Sequence, residues 1–174
     1  LKPYKLASGQ LKHGERTVLD IGGRRIGGEH FALIAGPCTV ETRDQTLETA
    51  RAVRDHASMF RGGAYKPRTS PYSFQGHGET ALKWMRACGD ELGMPICTEV
   101  MDTRQVELIE KYTDMFQIGA RNMQNFNLLS AVGETRPKSF TIAFASRRQV
   151  SPDSDTTVCC RTRVPNAPSH VTQP

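Results

Sequence analysis

Phe31-Ala32-Leu33-Ile34-Ala35-Gly36-Pro37-Cys38-Thr39-Val40-Glu41 is the stretch that decides the fold. Its first five residues form a short, continuous apolar run, and Gly36-Pro37 stops it. A strand buried on both faces of a parallel sheet reads this way, whereas a half-exposed strand alternates. The next segment is helical. Thr42 and Gln45 have the spacing of a capping box, and Leu47, Ala50, Val53 and Ala57 recur at helical steps. The strand-then-helix unit then repeats. A second strand is expected at about Met59 to Lys66, before a helix with Ala81, Met85, Cys88 and Leu92 on one face. Gly93 and Pro95 stop that helix. A third strand is expected at Ile96–Val100, with Asp102 and Gln105 capping a helix that buries Val106 and Ile109. The fourth strand is Met115–Ile118, and its helix carries Phe126, Leu129 and Val132 at a period of three and ends at Gly133.

Four strands, each followed by a helix, imply a parallel sheet covered by helices. No GxGxxG follows the first strand, which weakens a dinucleotide-binding, doubly wound sheet. A TIM barrel needs eight such units and about 250 residues. The expected fold is therefore α/β, a partial TIM (β/α)8 barrel holding the first four βα units over residues 31–135. Residues 1–30 read as a lead-in. Thr17–Ile21 and Arg24–Ile26 flank Gly22-Gly23, a pair that tolerates the positive φ angles of a tight hairpin. Residues 136–174 break the pattern and hold five of the ten prolines. Ser139–Ala145 alternates as one further strand would. Arg147 to Pro174 has no period and is expected to be disordered, so 136–174 reads as an unrelated tail.

Composition narrows the function classes. Hydrophobic residues make up 37% of 174, as in soluble globular chains, and no run approaches the roughly 18 apolar residues of a membrane span. Leu1-Lys2-Pro3-Tyr4-Lys5 has no apolar signal-peptide core, and the absence of a starting Met suggests a cut or processed N-terminus. The net charge of +5 sits mostly in the tail: residues 1–135 hold 17 Lys and Arg against 16 Asp and Glu. With aromatics at 7% and no basic stretch interleaved with them, nucleic acid is not an expected partner, and neither is a membrane. Five scattered cysteines, Cys38, Cys88, Cys97, Cys159 and Cys160, form no CxxC pair. That usage fits a reducing compartment, and the expected location is cytoplasmic.

Barrel enzymes place their chemistry at the C-terminal ends of strands, and each strand end here carries polar groups. Cys38 follows the first strand, where a thiolate suits a borderline or soft divalent metal; a small buried Cys is the plainer alternative. The second strand and its exit loop hold Arg61, Lys66 and Arg68 within eight residues, separated by small residues that let a ligand approach the backbone. Arg offers a planar fork for phosphate oxygens and Lys a compact charge. Cations converging on one mouth repel unless an anion joins them, which points to phosphorylated substrates; a solvated basic loop is the plainer alternative. Glu99 and Asp102 close the third strand, and Gly119, Ala120 and Arg121 the fourth.

Taken together, Ile34-Ala35-Gly36-Pro37-Cys38, Arg61-Gly62-Gly63-Ala64-Tyr65-Lys66-Pro67-Arg68-Thr69-Ser70-Pro71-Tyr72-Ser73-Phe74-Gln75-Gly76, Thr98-Glu99-Val100-Met101-Asp102 and Gln117-Ile118-Gly119-Ala120-Arg121-Asn122 resemble the type I beta 3-deoxy-D-arabino-heptulosonate 7-phosphate (DAHP) synthases. The likeness runs from about residue 3 to 135, with the motifs in the family's order and spacing. It implies a TIM barrel that condenses phosphoenolpyruvate with erythrose 4-phosphate and water, giving DAHP and phosphate, the first step of the shikimate pathway to the aromatic amino acids. By this resemblance Cys38 matches a ligand of a divalent metal such as manganese, iron or zinc. Arg61, Lys66 and Arg121, with Gly119 and Ala120, match the phosphoenolpyruvate site. Lys66, Pro67, Arg68 and Thr69 match the segment at erythrose 4-phosphate, and Glu99 matches an active-site carboxylate. A homo-oligomer is implied as well. In the reaction so implied, the metal would act as a Lewis acid on the aldehyde oxygen while the enol carbon attacks, water adds and phosphate leaves.

A sister family makes 3-deoxy-octulosonate 8-phosphate on the same barrel, with an Asn at the position of Pro67; Pro67 therefore favours the four-carbon sugar phosphate. The resemblance also implies a later half, with a strand lysine and a His, a Glu and an Asp for the metal, and nothing after Thr135 matches it. A frameshifted or foreign tail is the expectation for residues from about 136, and Asp153, Asp155 and His170 are metal candidates by type only. With one thiolate and two open sheet edges, this chain is expected to be inactive and self-associating. A non-catalytic phosphoenolpyruvate-binding fragment, or a partner of a complete synthase, is the alternative.

Overall fold

The computed structural model describes residues 18–66, 68, 70–135 and 140–142, the last three as backbone only. The lead-in hairpin is present: β1 (Val18–Ile21) pairs antiparallel with β2 (Arg24–Gly27). Gly22 and Gly23 both take positive φ, 56° and 78°, as a two-residue turn that follows the strand twist requires. Asp20 Oδ1 accepts the Gly23 amide at 2.9 Å and closes the turn.

Five parallel strands follow in sequential order: β3 (Ile34–Ala35), β4 (Met59–Gly62), β5 (Ile96–Glu99), β6 (Met115–Ile118) and β7 (Phe140–Ile142). Helices α1 (Arg43–Val53), α2 (Glu79–Leu92), α3 (Val106–Glu110) and α4 (Phe126–Glu134) connect them. The α/β alternation with a parallel sheet is as expected. β7 lies beside β6 with Gln117 opposite Thr141, so part of the Ser139–Ala145 segment takes the fifth place in the sheet. The rest of that segment and the tail beyond it lie outside the described residues. Among the described residues, no helix is long and apolar enough to cross a membrane.

Several boundaries differ from the sequence reading. The first strand is two residues, not five, and Phe31 is 77% exposed. Leu33 precedes the strand, although its carbonyl accepts the Ser58 and Met59 amides. The second strand ends at Gly62, because the chain turns into a loop pinched by Lys66 N to Gln75 O (2.9 Å) and Gly78 N to Ala64 O (3.0 Å). The third strand stops one residue earlier, at Glu99. Thr42 caps α1 through Gln45 N at 3.1 Å, but Gln45 Oε1 reaches back to Glu41 N rather than to Thr42. Ala57 is buried yet lies past the end of α1. Asp102 caps a single 3-10 turn, Thr103–Gln105, through Arg104 N, and α3 begins after it. In α4 the buried residues are Leu128 and Val132, four apart, while Phe126 is 75% exposed; a period of three drifts off the helix face. Gly133 sits inside α4 and does not end it.

Strand side chains divide by alternation. Phe60, Ile96, Phe116 and Ile118 pack with Leu82, Met85, Ile109 and Leu128 under the helices. Met59, Cys97 and Met115, on the opposite face, pack with Ile34 and with Ile21 of the hairpin. Two residues further along each strand, that second face carries Arg61, Glu99 and Gln117. The hairpin thus covers the N-terminal end of a face whose C-terminal end is polar.

Candidate active site

Each polar side chain at that end is set by its strand or by the turn after it. Arg61 lies within β4 and reaches past β5 to β6 on one side and to the loop after β3 on the other: Nε donates to Gln117 Oε1 at 3.3 Å and Nη1 to the Pro37 carbonyl at 3.2 Å. Lys66, in the loop after β4, donates from Nζ to the Cys38 carbonyl at 2.7 Å and lies 3.3 Å from Cys38 Sγ. The loop after β3 is held to β4's exit by Val40 N to Gly63 O at 3.1 Å. Glycines make these approaches possible. Gly36 has φ +149°, and a Cβ on it would strike the Arg61 carbonyl; one on Gly63 would strike the Cys38 carbonyl.

The electrostatics follow from this packing. Burial alone raises the Cys38 thiol, but the Lys66 ammonium and Arg61 guanidinium outweigh burial and hold it below its ordinary value. Glu99 goes the other way. Burial raises its carboxyl, and Arg61, Lys66 and Arg121 only partly offset that. Three cations from two strand ends thus act on one carboxylate. Gly119 leaves the space that the Glu99 carboxylate fills, since a Cβ there would touch it.

Cys38, Arg61, Lys66, Glu99 and Arg121 are therefore gathered at one end of the sheet. Arg68 and Ala120 are exposed, and Arg121 is exposed on the turn Ala120–Asn122. Pro67 and Thr69 lie outside the described residues. A cavity of about 580 Å³ opens beside Cys38, Lys66 and Arg68 and continues along α1 past Gln45 and Thr49. Arg61, Glu99 and Arg121 do not line it. Cys38 and Lys66 line that cavity, and Lys66 also acts on Glu99. Two participants escaped the sequence reading as site residues: Gln117, which alternation from Met115 places on the same face, and the Pro37 carbonyl, which no sequence signal announces.

Cys38 suits a divalent metal as one soft ligand, its thiol held toward the thiolate. Among the described residues, no three His, Cys, Asp or Glu side chains come together as a metal site. One thiolate falls short of the three or four ligands a catalytic metal takes, so these residues do not by themselves fit the ion.

Known proteins resemble this chain. The DAHP synthetase I family matches residues 12–146, a span that includes β7. A phospho-2-dehydro-3-deoxyheptonate aldolase of Thermotoga maritima is 50% identical over 134 residues, covering 76% of this chain and 39% of the relative. A 2-dehydro-3-deoxyphosphooctonate aldolase of Syntrophobacter fumaroxidans is more distant, 31% identical over 124 residues, covering 67% of this chain and 43% of its own. The crystal structure of the Thermotoga maritima aldolase, described as a DAHP synthase, superposes with a TM-score of 0.71 at 49% identity, covering 76% of this chain and 39% of that one. The chain spans about two fifths of the length of the curated relatives it matches. With the family match covering most of its length and half of the aligned residues identical to a named aldolase, the chain belongs to the DAHP synthetase I family.

Proposed function

We propose that this chain carries the phosphoenolpyruvate-holding part of a 3-deoxy-7-phosphoheptulonate synthase, the transferase that joins phosphoenolpyruvate to erythrose 4-phosphate with loss of phosphate. The observation that carries the reading is the gathering of cations at one sheet end, where Arg61 bonds to Gln117 and the Pro37 carbonyl and Lys66 bonds to Cys38. A carboxylate-phosphate substrate replaces the repulsion among these cations with charge-assisted hydrogen bonds. Arg61 and Arg121 hold the anion, and Lys66, turning from Cys38, joins them. Lys66 to Thr69 receive the sugar phosphate, with Arg68 as its exposed cation. Cys38 would be one ligand of a divalent metal that would supply Lewis acidity at the aldehyde, with the other ligands coming from outside the described residues. Glu99, kept toward its neutral form by burial, is suited to exchange a proton near the reacting atoms.

The sheet order supports a partial (β/α)8 barrel beginning at β3, with residues 1–30 as lead-in and the barrel portion running from 31 through β7. The expected tail boundary at about 136 moves, because the family match runs to 146 and β7 pairs with β6; a foreign tail is proposed only beyond that point. A homo-oligomer in the cytoplasm is the accompanying expectation. Calorimetric titration of the purified chain tests the reading. Phosphoenolpyruvate should bind in the micromolar to millimolar range, and Arg61→Ala should abolish it. Adding manganese with erythrose 4-phosphate or arabinose 5-phosphate then tests turnover. No product is expected from either sugar, and heptulosonate phosphate formation would show a complete site. Absence of heat with millimolar phosphoenolpyruvate would overturn the reading.

A further inference from the structure

We infer that His77 is a positioning residue, whose hydrogen bond to the Glu41 carbonyl sets the spacing between the loop that carries Cys38 and the loop that carries Lys66. His77 Nε2 lies 2.8 Å from Glu41 O, across 36 residues of sequence. A carbonyl only accepts, so Nε2 carries the proton; the bond is made by the neutral Nε2–H tautomer and by the charged ring alike. The ring is aimed by its neighbours. Phe74 meets it edge-on at 4.9 Å between centroids and Trp84, on α2, at 5.4 Å.

The position of this bond gives it a role. The loop from Lys66 to Gly78 is closed on itself by Lys66 N to Gln75 O and Gly78 N to Ala64 O. Gln75 Nε2 braces its interior by donating to the Ser70 and Ser73 carbonyls. The loop is therefore a braced unit, and besides Arg61 Nη1 to Pro37 O and Lys66 Nζ to Cys38 Sγ, three bonds tie it and the end of β4 to the β3–α1 loop. These are Val40 N to Gly63 O, Lys66 Nζ to Cys38 O, and His77 Nε2 to Glu41 O. The Lys66 tie is the one a bound anion would take away. His77 stands at the far end of the loop and keeps the two loops in register when Lys66 turns to the substrate.

This rests on the proposed binding of phosphoenolpyruvate, and the test separates the two. His77→Phe keeps a ring for Phe74 and Trp84 but removes the donor; His77→Gln removes the ring but keeps a donor. For an exposed hydrogen bond, His77→Phe should weaken phosphoenolpyruvate binding by about two- to fivefold with the thermal midpoint unchanged, and His77→Gln should recover most of the loss. Hydrogen–deuterium exchange on the same full chains should quicken in residues 36–42 of His77→Phe and not in α2. Wild-type affinity in His77→Phe, or equal loss in both variants, would overturn the inference. Should the wild type bind no phosphoenolpyruvate, the binding proposal fails alone. Exchange then decides for His77: faster exchange at 36–42 sustains the spacing role and unchanged exchange ends it.

Discussion

Two glycines at the candidate site show how differently the same added methyl acts. At Gly36 a Cβ would meet the Arg61 backbone, which cannot move without β4, and φ is +149°. Gly36→Ala should therefore lower unfolding free energy by about 2–4 kcal/mol, read from urea denaturation. At Gly119 the atom met is the Glu99 carboxylate, the free end of a side chain. Gly119→Ala should change stability by less than about 1 kcal/mol yet weaken phosphoenolpyruvate binding, since the carboxylate must swing among the cations. A large loss of stability at Gly119, with binding intact, would contradict this account. Cys38 provides a second prediction. Its thiol is held down by Lys66 first and Arg61 next, against burial, whereas burial and Glu91 push the Cys88 thiol up. Iodoacetamide labelling mapped by mass spectrometry should modify Cys38 at lower pH than Cys88. Lys66→Met should move the Cys38 profile to higher pH; an unmoved profile would mean that the Lys66 contact does not act on the thiol.

The elements are joined by a few polar contacts that carry more than their exposure suggests. Asp114, just before β6, accepts Arg86 Nη1 from α2 at 2.7 Å and the Ile96 amide from β5 at 2.7 Å. Arg86 is further held to Asp90 at 2.9 Å, and both partners of the Arg86–Asp114 pair are about one-quarter exposed. Asp114→Ala should cost about 2–3 kcal/mol, because it strands a half-buried guanidinium and an amide at once. Asp114→Asn, which keeps an acceptor, should recover part of that in the same denaturation assay. Equal costs for the two would show that charge, not acceptance, is what matters. At this scale the sequence was legible where local chemistry decides. Gly22-Gly23, the Thr42 cap and the stop at Gly93, whose φ is +63°, were all read from neighbouring residues. It misled where tertiary contacts decide. Phe31 belongs to an apolar run but is outside the ladder, and Phe126 mimics a buried helical position that Leu128 holds. The site was legible as residue types at strand ends. Its wiring, Arg61 to Gln117 and Pro37 or His77 to Glu41, was not, because those bonds span 24 to 56 residues.

Across the described sheet, one face is divided between an apolar end and a charged end. Its N-terminal end buries Ile21, Ile34, Met59, Cys97 and Met115, an apolar plug completed by the hairpin. Its C-terminal end buries a carboxylate among cations. The two ends should respond oppositely to substitution. Ile21→Ala removes a side chain only 3% exposed and should cost about 2–4 kcal/mol. Glu99→Gln should stabilise the chain near neutral pH. Burial outweighs the attraction of Arg61, Lys66 and Arg121, so the Glu99 carboxyl titrates above its ordinary value of 4.5. Between those two values the folded chain holds more protons than the unfolded one, and stability falls as pH rises. The penalty is absent below the ordinary value and complete above the raised one. Urea denaturation of wild type and Glu99→Gln from pH 4 to 8 should therefore start level, diverge as pH rises, and then run parallel, with the variant more stable. A wild type that gains stability relative to the variant as pH rises would mean that the cations outweigh burial, and that Glu99 stands ionised as their partner.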